Sequence, residues 1–469
     1  MYEDDTIAAV ATAMANAGIG IIRISGKDAF SIAGKVFVPA DKKKKIENLP
    51  GYTVHYGKIV SDGEILDEVL LLKMKAPHSY TAEDTVEIDC HGGRFVMQKI
   101  LEAVVKNGAR PADPGEFTKR AFINGRIDLS QAESVMTLIS SQNELAMRAS
   151  ISQLQGSVKK KIEELRAEIL YENAYLEAAL DDPEHMSLDG FSEKLYGKIL
   201  HLSGEIQKLL DTADDGRILT EGIRTVIVGR PNAGKSTLMN ALLGKERAIV
   251  TEMEGTTRDV IEEHLHIGNI SLILLDTAGI RDTEDPVEKI GVDKAEEELG
   301  GADLVLYVVD SSEPLDDRDM KIMELLKGRK FIVLLNKSDL ENVTSEETLR
   351  GQLAEKKICA GTTECPVIEI SAKDGEGIEN IEEEISTLFF NEEVNFNDEV
   401  IITNVRQKKN LSDAMESLKL VGKAIEDGVP EDLYSVDLTD AYTSLGYIIG
   451  VETGEDLINE VFSRFCMGK

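Results

Sequence analysis

The chain has 469 residues, of which 42% are hydrophobic, and its formal net charge is −34. This length predicts roughly three domains. No apolar run approaches the roughly 18 residues that a membrane span needs, and the acidic start MYEDDTIAAV lacks the basic segment of a signal peptide. A surface this acidic should repel phosphate backbones. If the protein acts on nucleic acid, the contact is local or a partner supplies much of the grip.

The cysteines are Cys90, Cys359, Cys365 and Cys466, and they show neither a CxxC pair nor the spacing of a zinc site. We therefore expect the first three to be reduced thiols of a cytoplasmic protein. Cys466 differs because it lies in FCMGK, a segment too short to fold alone.

Residues 1–124 are predicted to form an α+β domain. The β-rich runs GIGIIRIS, EVLLLKMK and DTVEIDC are punctuated by glycine and proline. The segment FVMQKILEAVVKNG has the spacing of an amphipathic helix that ends at Gly108.

Two helical blocks, 125–220 and 389–469, flank a block of a different kind at 221–388. The helical blocks are rich in helix formers and have apolar residues at helical spacing, which predicts long antiparallel helices in the first of them. In the middle block the β-rich runs RTVIVG, SLILLDT, ADLVLYVVD, KFIVLLNKSD and CPVIEISA alternate with helical patterns. This alternation predicts a doubly wound parallel sheet, inserted as an α/β domain into a helical domain.

GRPNAGKST, from Gly229 to Thr237, follows a predicted strand and opens a predicted helix. It fits the phosphate-loop pattern, in which glycines let backbone N–H groups surround phosphate oxygens at a helix N-terminus. Lys235 is predicted to reach the β- and γ-phosphates, and Ser236 to ligate Mg²⁺.

Three further motifs end later strands, and one of them faces the phosphate and Mg²⁺ whereas two are predicted to read guanine. In DTAG, Asp276 is placed to hold Mg²⁺ through water, and the Gly279 N–H to meet the γ-phosphate. In NKSD, the Asp339 carboxylate is a hydrogen-bond acceptor that matches the N1–H and N2–H of guanine, whereas adenine offers no such pair. In SAK, the Ala372 N–H is placed to meet the guanine O6. Their order predicts a GTP site.

These residues do not identify the group that positions the attacking water. A threonine of GTTRD is expected to close over the γ-phosphate, and Thr257 is preferred to Thr256 although spacing does not decide between them. Ile280 stands where many nucleotide hydrolases have a water-holding glutamine. The remaining candidates are an arginine finger from a partner and the nearby polar residues Arg281, Asp282, Glu284, Asp285 and Glu288.

The ordered motifs GRPNAGKS, GTTRD, DTAGIR, NKSD, SAK and FCMGK resemble those of the MnmE/TrmE family of tRNA-modification GTPases. The resemblance covers the whole chain, including GIGIIRISG, DCHGG and RPADPGEFTKRAFINGRIDLSQAE. It implies a homodimer with an N-terminal tetrahydrofolate-binding and dimerisation domain (1–124) and a discontinuous helical domain (125–220 and 389–469). The inserted segment 221–388 is then a Ras-like P-loop G domain.

The same resemblance implies how GTP is hydrolysed. G domains pair across their nucleotide faces with K⁺ at the phosphates, where the cation replaces an arginine finger. Asn232 matches the K⁺-ligating asparagine of the family. The loop around the ion is matched by Thr251, Met253 and Thr256. Glu288 matches the glutamate that orients the water. The expected GTP-binding residues are Asn232, Ala233, Gly234, Lys235, Ser236, Thr237, Thr251, Thr256, Thr257, Asp276, Thr277, Ala278, Gly279, Asn336, Lys337, Asp339, Ser371, Ala372 and Lys373, with Mg²⁺ on Ser236 and Thr257.

The resemblance also implies a one-carbon reaction on RNA. With an FAD- and NADH-dependent partner of the MnmG/GidA type, in a heterotetramer, family members build a (carboxymethyl)aminomethyl group at carbon 5 of the wobble uridine of certain tRNAs. The carbon comes from 5,10-methylene-tetrahydrofolate, and a formyl-tetrahydrofolate analogue is an alternative occupant of the same site. The expected folate-binding residues are Arg23, Glu87, Arg126 and Lys469, and Cys466 is a catalytic candidate at the one-carbon site.

Two other functions compete with an RNA-modifying GTPase. One is a folate-dependent aminomethyl transferase without RNA, whose G domain is regulatory. The other is a ribosome-assembly switch, since such switches share GRPN, GTTRD and NKxD. FCMGK and the folate-like N-terminal region argue against the switch.

Overall fold

The structure, a computed structural model, describes residues 5–41, 46–245, 263–267, 270–275, 300–358, 365–389, 400–463, 465 and 468. Contacts divide the chain into two compact units. The first comprises Met1–Ile139, Ser152–Ser203 and Asn410–Lys469, and the second comprises Ser140–Ile151 and Gly204–Lys409.

The helices in these described ranges are α1 (Ala29–Val36), α2 (Arg94–Lys106), α3 (Glu116–Ile123), α4 (Leu129–Ser140), α5 (Glu144–Leu154), α6 (Ser157–Asp181), α7 (Phe191–Glu221), α8 (Lys235–Lys245), α9 (Asp317–Leu325), α10 (Glu346–Glu355), α11 (Glu379–Phe389), α12 (Val405–Glu426), α13 (Tyr434–Ile449) and α14 (Glu455–Ser463). The strands are β1 (Ile7–Val10), β2 (Gly20–Ser25), β3 (Phe37–Pro39), β4 (Thr53–Ser61), β5 (Glu64–Met74), β6 (Thr85–Cys90), β7 (Arg110–Pro111), β8 (Ile223–Val228), β9 (Glu263–Ile267), β10 (Ile270–Leu274), β11 (Leu304–Asp310), β12 (Phe331–Asn336) and β13 (Val367–Ile370). Short 3₁₀ turns lie at Ile46–Asn48 and Glu431–Leu433.

The sheet of the first unit has the order β3-β4-β5-β6-β2-β1-β7. Its strand pairs are antiparallel except β1 with β7, which is parallel. Alternate residues of the strands pack with α1 and α2 in one apolar core, which includes Ile24, Ile88 and Ile100. This confirms the predicted mixture of strands and helices, including an amphipathic helix that ends just before Gly108.

Part of this sheet exposes apolar side chains. Val54 and Tyr56 on β4 are 57% and 53% exposed, and Leu70 on β5, directly opposite Tyr56, is 44% exposed. Large apolar groups side by side on a surface are typical of an interaction face.

Helices form the rest of the first unit. In it α13 packs along α6, where the buried Arg166 guanidinium lies 3.9 Å from the centre of the Tyr442 ring. No helix in the described ranges is long and apolar enough to cross a lipid bilayer.

The sheet of the second unit has the order β13-β12-β11-β8-β10-β9 and is parallel except for β9. On β11, Leu304, Leu306 and Val308 share a core with α8 and α11. The alternating residues Val305 and Tyr307 share another core with α9 and α10. Because consecutive strand residues point to opposite faces, helices cover both faces, which confirms the doubly wound prediction.

Two expectations need correction. The sheet is not wholly parallel: β9 pairs antiparallel with β10, because only two residues separate these strands in the sequence and so short a connection reverses the chain. The expectation of reduced thiols holds for Cys90, which is free and buried, but is wrong for Cys365, which is in a disulfide. Cysteine spacing carries no information on which sulfur atoms the fold brings within bonding distance.

Candidate functional site

The phosphate loop runs from the end of β8 at Val228 to the start of α8 at Lys235. Gly234 has φ +101°, and a Cβ there would lie 2.1 Å from the Asn336 Nδ2. A Cβ at Gly229 would lie 2.4 Å from the Val308 carbonyl oxygen. Both positions therefore require glycine, because a side chain at either one would collide with the neighbouring strand residue.

Lys235 is held inside this loop. Its Nζ donates to the carbonyl oxygens of Gly229 and Arg230, at 2.8 and 2.7 Å. Burial lowers the pKa of Lys235, since it penalises the charged form. An anion beside the ammonium would offset that penalty, so the donor fits a phosphate. Ser236 and Thr237 follow in the first turn of α8, and both are exposed.

Asn336, the last residue of β12, joins the phosphate loop to the SAK segment. Its Nδ2 donates to the Ala233 carbonyl at 2.8 Å, and its Oδ1 accepts from the Ala372 N–H at 3.0 Å. Asn336 is 2% exposed, so both hydrogen bonds are shielded from water. One amide thus fixes the distance between the predicted phosphate and base loops.

The remaining base-side residues lie next to Asn336. Lys337 has φ +68°, and its Nζ lies 2.5 Å from Asp310 Oδ2 at the end of β11. Burial raises the pKa of Asp310, but hydrogen bonds from Lys337 and Ser312 outweigh it and leave the pKa below its ordinary value. The Asp310 carboxylate therefore stays ionised and anchors the lysine.

Asp339 is exposed, and its Oδ1 accepts from the Ser371 Oγ at 3.0 Å. This hydrogen bond orients the carboxylate that is predicted to read guanine. Ala372 is buried and Lys373 exposed. The structure therefore brings the phosphate loop, NKSD and SAK together at the carboxyl ends of β8, β12 and β13, where open α/β sheets bind ligands.

Several predicted residues lie outside the described part of the chain. They are Thr251, Met253, Thr256, Thr257, Asp276, Thr277, Ala278, Gly279 and Glu288 in the second unit, and Cys466 and Lys469 in the first. Their roles stay predictions.

In the first unit, Arg23 and Glu87 face each other on β2 and β6, and the Arg23 Nε lies 2.7 Å from Glu87 Oε1. Both side chains are partly buried, at 15% and 17% exposure. The Arg23 Nη1 also donates to the Gly468 carbonyl at 3.3 Å. Two of the predicted folate residues are therefore paired, and a residue of the FCMGK segment lies beside them.

Gly468 could have been singled out from that segment but was missed. It has φ +87°, and a Cβ there would lie 2.2 Å from the Val10 carbonyl oxygen. The signal was the glycine itself in Cys-x-Gly-Lys, because only glycine combines a positive φ with so close an approach.

Tyr80 was also missed, and no sequence pattern marks it. The guanidinium carbons of Arg23 and Arg126 lie 5.5 and 5.1 Å from the centre of its ring. Tyr80 and Arg126 line a cavity of about 390 Å³, together with Gln131 and apolar side chains of α4. An aromatic ring beside two cations suits a flat anionic ligand.

A buried charge cluster lies in the same unit. Arg120, 1% exposed, contacts Asp5 Oδ1 at 2.6 Å and Glu116 Oε1 at 3.0 Å. Arg110 bridges the same two acids, at 2.6 Å from each. Burial raises the pKa of both acids, but the arginine hydrogen bonds outweigh it, and the pKa values lie below their ordinary range.

The doubly wound sheet, the phosphate loop and the Asn-Lys-x-Asp and Ser-Ala-Lys motifs together define a P-loop protein of the guanine-nucleotide type. Two family models match the chain, the MnmE helical domain over residues 129–466 and the GTP-binding protein TrmE N-terminus over residues 6–126. The chain belongs to the MnmE/TrmE family.

Full-length relatives agree with these matches. The tRNA modification GTPase MnmE of Lachnoclostridium phytofermentans is 52% identical over 465 residues, which cover 99% of each chain. Proteins of the same name in Clostridioides difficile and Acetivibrio thermocellus are 46% and 44% identical to this chain, and each alignment covers 100% of both sequences.

Proposed function

We propose that this protein hydrolyses GTP and acts in tRNA modification, as its relatives are named for doing. The observation that carries the nucleotide part is the Asn336 side chain, which connects a phosphate loop to the segment predicted to read guanine. Asp339, oriented by Ser371, would accept from the guanine N1–H and N2–H, and a base without those donors would leave the carboxylate unpaired.

The chemistry of hydrolysis is assigned to two metal ions, Mg²⁺ and K⁺, and to Glu288. Mg²⁺ would be held by Ser236 and Thr257, and K⁺ by Asn232 with Thr251, Met253 and Thr256. Asn232 supports this assignment, because its side chain is exposed and its φ of +65° is a left-handed conformation that asparagine adopts more readily than most residues. Glu288 would orient the water, a task for which the apolar Ile280 offers no polar group.

For the RNA reaction, we assign the one-carbon unit to a tetrahydrofolate held by Arg23, Glu87, Arg126 and Lys469. The Arg23–Glu87 pair and the cavity beside Arg126 supply charged groups next to an aromatic ring, which suits a pterin with an anionic tail. The product would be a (carboxymethyl)aminomethyl group at carbon 5 of the wobble uridine. An FAD-dependent MnmG-type partner would supply redox chemistry and, given the net charge of −34, most of the tRNA contact.

A homodimer is proposed on the exposed apolar face of the first unit. Val54, Tyr56 and Leu70 form adjacent apolar positions that a second copy would cover. Removal of such groups from water favours association.

The experiment is mass spectrometry of wobble nucleosides in tRNA from a strain that lacks the gene. We expect the modified uridine to be absent and to return when the gene is restored, but not when the restored gene encodes Lys235→Ala. Unchanged wobble uridines in the deletion strain would refute the RNA function. They would leave a folate-dependent transferase or a ribosome-assembly switch as alternatives.

A further inference from the structure

Arg230, the second residue of the phosphate loop, is 5% exposed and surrounded by acids from one segment. Its Nε lies 3.1 Å from Asp319 Oδ2, and its Nη1 lies 3.3 Å from Asp316 Oδ2. The Nη2 lies 3.6 Å from Glu313 Oε2, and the Nη1 also donates to the Pro314 carbonyl at 3.2 Å. Three carboxylates and a carbonyl thus surround the planar guanidinium and orient it, although its Nη2 has no partner within hydrogen-bond distance in the described part of the chain.

The acids are themselves held in place. Asp319 is fully buried, and it accepts from the Tyr307 hydroxyl and from the Asp316 N–H, both at 3.0 Å. Asp316 caps α9 by accepting from the N–H groups of Arg318 and Asp319, at 2.8 and 3.3 Å. The segment that contacts Arg230 is therefore fixed to both β11 and α9, and it is a rigid support for the guanidinium.

The backbone of Arg230 belongs to the nucleotide site. Its carbonyl accepts from the Lys235 Nζ at 2.7 Å and from the Ala233 N–H at 3.3 Å. A shift of Arg230 would therefore move the lysine that is predicted to reach the phosphates. At the other end of the same connection, Asp310 anchors Lys337 of the base motif. The connection 310–319 thus contacts both halves of the site.

We propose that Arg230 is a positioning residue for phosphate binding, and that Asp319, Asp316 and Glu313 hold the phosphate loop in its binding shape through it. The inference rests on the proposed function as a GTPase. It adds a support that acts through the Arg230 side chain and reaches Lys235 through the Arg230 carbonyl. Asn336 sets the distance between the loops, whereas Arg230 sets the shape of the loop that carries Lys235.

The test measures the Kd for GDP and for GMP in the full-length protein, by competition with a fluorescent GDP analogue. GMP lacks the β-phosphate that Lys235 and the phosphate loop would contact. We expect Arg230→Met to raise the Kd for GDP about tenfold, within the range of coupling between contacting residues, and to raise the Kd for GMP less than about twofold. The matched control is Arg318→Met, which removes a 60% exposed guanidinium from Asp316 and should leave both Kd values within about twofold.

Thermal unfolding identifies a variant that has lost its fold. If Arg230→Met does not fold, Arg230→Lys provides the measurement, because it keeps the charge but not the planar fork. For Arg230→Lys we expect the Kd for GDP to rise about threefold and the Kd for GMP to rise less. A folded Arg230 variant that binds GDP normally, or that loses GDP and GMP affinity equally, would overturn the inference. If the unsubstituted protein binds no GDP, the proposed function fails first.

Discussion

Asn336→Ala is the sharpest test of how the nucleotide site is assembled. The substitution removes two buried hydrogen bonds and leaves the Ala233 carbonyl and the Ala372 N–H without this partner. An unsatisfied buried group costs roughly 1–3 kcal/mol, so the two losses together amount to about 2–6 kcal/mol. We expect the Kd for GDP to rise about a hundredfold, which is about 2.7 kcal/mol. The remainder of the lost free energy should appear as a lower free energy of unfolding of the second unit.

Asn336→Asp separates the two hydrogen bonds. The carboxylate keeps an acceptor for the Ala372 N–H but places a second oxygen against the Ala233 carbonyl, in a side chain that is 2% exposed. Because a buried charge without a donor is costly, this nearly isosteric change should weaken GDP binding at least as much as alanine does. The control is Asn380→Ala, an exposed asparagine of the same unit.

The measurements are displacement of a fluorescent GDP analogue and thermal unfolding of each variant. If Asn336→Ala binds GDP within about threefold of the unsubstituted protein, the two loops do not depend on this amide. Equal losses in the Asn380 control would point to a general loss of stability instead.

Four further predictions concern hydrolysis, the C-terminal segment and the buried charge cluster. Glu288→Ala should keep GTP binding and lose most GTP turnover. The unsubstituted protein should hydrolyse GTP far faster in K⁺ than in Na⁺, and equal rates in both salts would contradict the role of the cation. Gly468→Ala should lower tRNA modification and spare GTP hydrolysis, because its Cβ would meet the Val10 carbonyl; normal modification would contradict it. The lowered pKa values of Asp5 and Glu116 mean that the charge cluster stabilises the first unit above about pH 4.5 and less as pH falls through the folded-state values. The free energy of unfolding, measured with urea between about pH 5 and 2, should therefore change less with pH in Arg110→Met than in the unsubstituted protein. The same change with pH in both proteins would disprove this.

Local patterns predicted the strands of the central sheet correctly, and the phosphate loop, NKSD and SAK lie at strand ends as expected. Strands buried on both faces appear as short apolar runs, and each motif directly follows such a run. The parallel arrangement then brings NKSD and SAK to one edge, although they are far apart in the sequence. The antiparallel β9 was missed because its sequence, EHLHI, contains polar residues and lacks a continuous apolar run.

Contacts between distant residues were not predictable in this way. Nothing in GRPNAGKST indicates that Arg230 is buried among Glu313, Asp316 and Asp319, because acidic residues near a helix start are usually exposed. Tyr80 likewise has no local pattern that places it between two arginines. The disulfide at Cys365 depends on a three-dimensional distance, which cysteine spacing does not encode.

The hydrogen bond from Arg23 to the Gly468 carbonyl spans 445 residues of sequence. Contacts this far apart form slowly, because a long loop must close first. During synthesis on the ribosome, β1 and β2 would emerge and pair long before Gly468 exists. Arg23 and Glu87 can pair once β6 has been synthesised, whereas the contacts of Gly468 with Arg23 and Val10 can form only after residues 221–388 have been translated.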